Sequence, residues 1–391
     1  MISLELKDLA RLPAVNTIIE KVSAILSLFW GRKRWPRARL REVILANHGR
    51  RFGLYRAKQT RFAGTLGIHT LSPFPKPNSA LLPTPPLMCI STGKFREMSR
   101  LLRVKADLQQ VVVSADYASH RFSSRGRTVD EEEGETLDPG IGPKVKSIVL
   151  DDDGFWTPLT HILHVAMPLI KLLRMMDGNK PCIGKVYDKM FTIGERIKHL
   201  GRGGVAWAGD MSKKHADRWE YLHSPFHAAA YALDPEFMDT VGELDAATQE
   251  GLLLVFERMC LRDEIALCTD PDALSSLTVS SPAVIARVAQ VEREFSVYQR
   301  REGVFSRPTV LANAKTMEPA AWWSMYGRHL PLLSAIAPRV LAQPAAASAA
   351  ERNWSVYGQI RTAQKSRMHH GTADKLVYCH ESMHLQQKLQ D

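Results

Sequence analysis

Cysteine is scarce in this chain: Cys89, Cys182, Cys260, Cys268 and Cys379 are the only five in 391 residues, odd in number, widely scattered and without a CxxC pair. That spacing gives neither a disulfide framework nor a zinc ribbon, and it suits a reducing compartment. Long apolar runs are missing as well. The longest, Ile162 to Met176, is interrupted by His164, Lys171 and Arg174 and falls short of the ~20 residues that a span needs, so a buried helix and no membrane partner are expected. A mean hydropathy of −0.19 excludes a bundle of spans. The opening MISLELKDLARLP alternates in charge and has no signal-peptide run, which leaves the cytosol or the nucleus as the expected compartment. Convincing alternating strands are few, so the fold is expected to be mainly α.

What is present begins with length. At ~150 residues per domain, 391 residues give two or three units with a sizeable core. Lys and Arg number 52 against 41 Asp and Glu, a net charge of +11, and this balance favours a polyanionic partner, nucleic acid first. The excess is local. From Arg32 to Arg61 there are eleven basic residues, among them Arg32, Lys33, Arg34, Arg37, Arg39 and Arg61, against Glu42 alone. Trp30, Trp35, Phe52, Tyr55 and Phe62 are interleaved with them, a pattern that pairs with phosphates and stacks on bases. It fits equally a solvated basic face whose aromatics belong to the core.

Punctuation divides the chain further. Six prolines between Pro73 and Pro86 rule out a helix or central strand there and mark a loop over 71–93. A run of six carboxylates among glycines over 130–142 reads as an exposed linker without the fixed spacing of a metal cage. Apolar residues at three- and four-residue steps place one helix from Val15 to Phe29, ending near Trp30. A second starts near Asp153, with Pro158 in its first turn, a kink expected at Pro168 and Gly178 as its stop. Others are expected at 186–200, 249–260, 283–299, 330–341, 345–360 and 373–389.

Two features suggest chemistry. His380-Glu381-Ser382-Met383-His384 matches H-E-x-x-H, but only LQQKLQD follows, and it supplies no third histidine, so no metal is expected there. The pairs His161/His164 and His223/His227 are expected to be surface or capped core histidines. Glu351 stands in an Ala-rich helical stretch, PAAASAAERNWSVYGQI, where pattern alone gives an exposed helix carboxylate.

From Ala320 to Leu385 the segments AAWWSMYGRHLPLLSAIAPRVL, AAERNWSVYGQI and LVYCHESMHL resemble, step by step, the C-terminal dimerisation region of hAT-family (hobo/Activator/Tam3) transposases. Upstream, QTRFAGTL is similar to the family's TRF element, and DDDGFWTPLTHILHVAMPLIKLLRMMDG and WEYLHSPFHAAAYALDPEF are similar to its helical insertion domain. The resemblance implies a helical insertion domain with fragments of a ribonuclease-H-like α/β core. It implies this division: 1–60, remnant of that core with the basic segment; 61–310, insertion domain; 311–391, C-terminal dimerisation region. Glu351 would be the third acid of an Asp/Asp/Glu site, and Phe62, beside Arg61, would match the aromatic that stacks on a flipped base. Trp322, Trp323, Leu333, Val340, Leu341, Trp354 and Tyr357 would supply apolar surface for pairing.

The resemblance also has departures. Neither Asp8 nor Asp107 stands in the family's strand contexts, and the chain is expected to begin after both catalytic aspartates. Without two of three carboxylates a divalent-metal pair has no cage. The expected protein is therefore transposase-derived and non-catalytic on its own, without a cofactor. It would pair with a second copy or a related hAT protein, contact DNA through its basic segment, and reside in the nucleus, to which GRKRWPRAR, residues 31–39, also points. The alternative is a transposase subunit whose Mg or Mn site is completed by another chain.

Overall fold

A computed structural model describes residues 2–30, 34–50, 52–54, 88–120, 140–178, 180–240, 244–346, 354, 356–358, 360 and 368–390. Among the described residues there is no strand; the fold is mainly α. It divides into two compact units, 1–171 with 192–222 and 172–191 with 223–391.

The first unit starts with α1 (Ile2–Arg11) and α2 (Pro13–Trp30). Pro13, whose fixed φ suits a first helical turn, opens α2 after a bend of 82°. The apolar stripe read from the sequence, Val15, Ile18, Ile19, Val22, Ile25, Leu26 and Phe29, is buried throughout. Against α2 pack α3 (Arg34–His48), α4 (Met88–Arg103) and α7 (Ile141–Leu150), while α5 (Lys105–Val113) lies on α3 and α7. The short α6 (Ala115–Ser119) brings Tyr117 inward, and its hydroxyl donates to the Gly142 carbonyl at 2.8 Å. Helix α4 takes the end of the loop expected over 71–93: it starts at Met88, past Pro86, the last proline of that stretch, and 71–87 lie outside the described residues.

A π-helical turn, Asp152–Trp156, leads into α8 (Thr157–Met176). Asp151 caps it, accepting from the Gly154 N–H at 2.7 Å. Helix α8 continues through Pro168, which frees the carbonyl of His164, an exposed residue whose backbone oxygen can meet water. The stretch Asp152–Met176 is long and apolar enough to cross a membrane by length and composition. In this fold it buries Phe155, Trp156, Leu159, Ile162 and Val165 among its own neighbours. Helices α9 (Ile183–Arg202) and α10 (Ala208–Leu222) follow. α10 packs on α1 through a buried contact, His215 Nδ1 to Glu5 at 2.6 Å, and a half-buried one, Arg218 Nη2 to Asp8 at 2.8 Å.

The second unit contains α11 (Pro225–Leu233), α12 (Ala246–Leu267), α13 (Pro271–Ser276), α14 (Pro282–Gln299), α15 (Pro308–Ala314), α16 (Pro319–Tyr326), α17 (Pro331–Leu341) and α18 (His370–Gln390). Proline in the first turn starts α11, α14, α15, α16 and α17, where its missing N–H costs no hydrogen bond. α11 presents Ala228, Ala229, Ala230 and Ala232, all buried, and these small side chains let α12 approach closely. Asp245 caps α12 by accepting from the Thr248 N–H at 2.7 Å. α14 then packs on α12 and α17, and α16 on α17.

Candidate dimerisation site

Residues between Tyr298 and Trp323 build an aromatic core. From α14 comes Tyr298, from the 3₁₀ turn Gly303–Ser306 comes Phe305, and from α16 come Trp322 and Trp323; all four are fully buried. Phe305 stacks on Trp322 with ring centroids 5.5 Å apart, and Tyr298 meets Phe305 edge-on at 5.5 Å. The indole N–H groups are satisfied within the same unit: Trp322 donates to the Val310 carbonyl at 3.1 Å and Trp323 to that of Leu233 at 2.9 Å. Burial of rings this size stabilises by about 2–3 kcal/mol each. The turn that carries Phe305 follows Arg301, whose φ of 56° is held by its guanidinium, which reaches the Met238 carbonyl and Asp239.

Charges fix the helices around this core. Glu294 on α14 is buried, and its Oε2 accepts from the Leu333 N–H at 2.7 Å in the first turn of α17. Arg339, in the last turn of α17, bridges both oxygens of Asp263 on α12 at 2.7 and 3.0 Å. Leu333, Val340 and Leu341 therefore face inward. Together with Trp322 and Trp323 they are enclosed by their own unit, so in a single chain they hold the helices and offer no surface to a second one.

The surface lies further on. Trp354 is 72% exposed and meets Tyr357 edge-on at 5.7 Å. The Tyr357 hydroxyl lies 3.0 Å from His370 Nδ1 at the start of α18. Among the described side chains of this 21-residue helix Ala373 alone is buried. Leu376, Cys379, His380 and Met383 recur at three- and four-residue steps and are all exposed, so they form one uncovered stripe. The sequence reading did not single out this stripe, although the spacing was there to be read.

The remaining expected sites separate. Glu351, Arg32, Lys33, Arg61 and Phe62 lie outside the described residues. Arg34 is placed in the first turn of α3. Arg37 sits over the Trp30 ring at 4.9 Å, and Arg39 reaches Glu42 at 3.2 Å and Asp116 at 3.5 Å. Asp8 is held by Arg218, and Asp107 by Asn47 at 2.8 Å and His48 at 3.1 Å. His380 of the HESMH motif is exposed on α18, and among the described residues no group of three His, Cys, Asp or Glu could hold a metal ion. His227 is a capped core histidine: its Nδ1 lies 2.9 Å from Ser224 Oγ, and burial, with the nearby His223, pushes its pKa down to about 4.

Residues 294–383, from Glu294 on α14 to Met383 on α18, match the model of the hAT family C-terminal dimerisation region. No curated protein matches the sequence.

Proposed function

Because this chain carries a hAT-family C-terminal dimerisation region, we propose that it is a transposase-derived protein that associates with a second copy of itself, or a related hAT protein, through α18 and the Trp354 surface beside it. The observation that carries the reading is the uncovered stripe Leu376, Cys379, His380 and Met383 within the matched segment. A helix with a single buried side chain among its described ones is stabilised by a partner on its open face.

On the same reading the protein is non-catalytic by itself. Support comes from the two aspartates nearest the start, Asp8 and Asp107, which stand on helices and are engaged by Arg218 and by Asn47 with His48. DNA contact through the basic segment 32–61, a nuclear location, retained fragments of a ribonuclease-H-like core and an insertion domain over 61–310 complete the proposal; the first rests on the charge and aromatic pattern, the second on residues 31–39 with the resemblance, and the last two on the sequence resemblance.

Light scattering after size exclusion tests the pairing. The expected mass is twice the 43.9 kDa of the chain. Leu376→Glu with Met383→Glu should return it to one chain mass while each chain still melts cooperatively, since both side chains are exposed in the single chain. A wild-type mass of 43.9 kDa at micromolar concentration would reject self-association.

A further inference from the structure

The first unit holds a cleft of about 630 Å³ between the end of α2, α3 and residues 52–54. Its floor is apolar, formed by Phe29, Leu40, Ile44 and Leu54, all buried. Two flat rings, Trp30 and Phe52, stand half-buried in its wall. Guanidinium groups sit on both: Arg37 lies 4.9 Å from the Trp30 centroid, while Arg50 and Arg103 lie 5.7 and 5.1 Å from that of Phe52. Arg41 lines the cleft and is exposed.

The arginines here differ in what they do. Arg39 is tied to Glu42 and Asp116 and so links α3 to α6. Among the described residues no carboxylate stands within ion-pair distance of Arg37, Arg41, Arg50 or Arg103. Glu42, the one acid among the described lining residues, is engaged by Arg39. The cleft thus has the volume of a small-molecule site, an apolar floor, stacking walls and two lining guanidiniums, Arg37 and Arg41, that no described carboxylate pairs. That combination matches a flat ring joined to a phosphate.

We propose that this cleft binds a nucleotide, its base stacked on Trp30 or Phe52 and its phosphate held by Arg37 and Arg41. The proposal deepens, and rests on, the reading that the basic segment 32–61 meets nucleic acid.

The test uses the full chain and fluorescence anisotropy with a labelled oligothymidine of about a dozen nucleotides, an abasic strand of equal length, and free thymidine triphosphate as competitor. The abasic strand should bind about tenfold more weakly. Trp30→Leu combined with Phe52→Leu should erase that difference, and Arg41→Glu, an exposed change that spares the fold, should weaken both strands severalfold. Displacement by the triphosphate would identify a free nucleotide as occupant; base-dependent binding without displacement would identify a nucleotide within a strand. Equal affinity for the two strands, or a base preference that survives in the folded double variant, overturns the proposal. If strands bind with a salt dependence but no base preference, the cleft is rejected and the basic-segment reading stands. If neither strand binds, both fall.

Discussion

Glu294 shows how one buried carboxylate can order a helix junction. Its two oxygens accept from the Gln290 side-chain amide at 3.1 Å and from the Leu333 N–H at 2.7 Å, so it occupies the positive end of α17. Removing it leaves a buried donor unpaired, and Glu294→Ala should lower stability by about 2–3 kcal/mol in urea unfolding, while Glu294→Gln, which keeps an acceptor oxygen, should recover most of the loss. Two other buried groups, Asp234 and His227, respond to acid in opposite senses. Burial raises Asp234 to about 6 from an ordinary 3.8, against the Glu236 N–H and Lys185, which favour its charge; burial depresses His227 to about 4 from 6.5. The folded chain holds the Asp234 proton where the unfolded chain has lost it, so Asp234 adds stability as pH falls from about 6 towards 3.8. The unfolded chain binds a proton at His227 where the folded chain does not, so His227 removes stability as pH falls from 6.5 to about 4. In the wild type the two slopes largely cancel. Asp234→Asn should expose the His227 slope, a loss relative to wild type of up to about 1.4 kcal/mol per pH unit on acidification, and His227→Gln should expose the reverse slope.

At the scale of elements, close approach matters as much as apolar pattern. A Cβ on Gly184 of α9 would meet the Ala230 carbonyl oxygen at 2.6 Å and Asp234 Cβ at 3.2 Å, whereas one on Gly209, exposed in the first turn of α10, would meet nothing within 4 Å. Both substitutions to Ala improve helix propensity. Calorimetry should nevertheless separate them: Gly209→Ala gains up to about 1 kcal/mol, and Gly184→Ala loses about 1–3 kcal/mol because backbone cannot move aside. The same distinction explains which helices were legible. α2, α8, α9, α12, α14 and α17 show through apolar spacing, and all but α12 also through proline at or near their starts. α1 was hidden because its inward face carries Glu5 and Asp8, whose partners His215 and Arg218 lie about two hundred residues away in sequence. Interleaved aromatics announced the cleft without saying which of them faces it: Trp30 lines it, while Trp35 stacks on His120 with centroids 4.4 Å apart. Similarly, Trp322 and Trp354 read alike in sequence, and only packing sends one to the core and leaves the other in solvent.

For the whole molecule, the proposed pairing has a chemical consequence at Cys379. Two copies related by a twofold axis contribute the same patch, so each residue of the stripe meets the partner's stripe. Cys379 lies within one residue of the middle of α18, which runs from His370 to Gln390. In a parallel pair it faces its own counterpart, and in a centred antiparallel pair it lies next to the axis; in both it is covered. The other described thiols differ from it: Cys182 and Cys260 are buried and Cys268 is half-buried, while Cys379 is exposed in the single chain. Alkylation followed by peptide mapping can therefore report on one thiol. Its rate at Cys379 should fall several-fold as protein concentration passes through the dimerisation range, and should stay fast in Leu376→Glu with Met383→Glu. Mild oxidation should link two chains through Cys379 only where light scattering shows a dimer. If the mass doubles and Cys379 still alkylates at the rate of the separate chain, the pairing surface is not the α18 stripe, and exposed Met325 on α16 becomes the next residue to change.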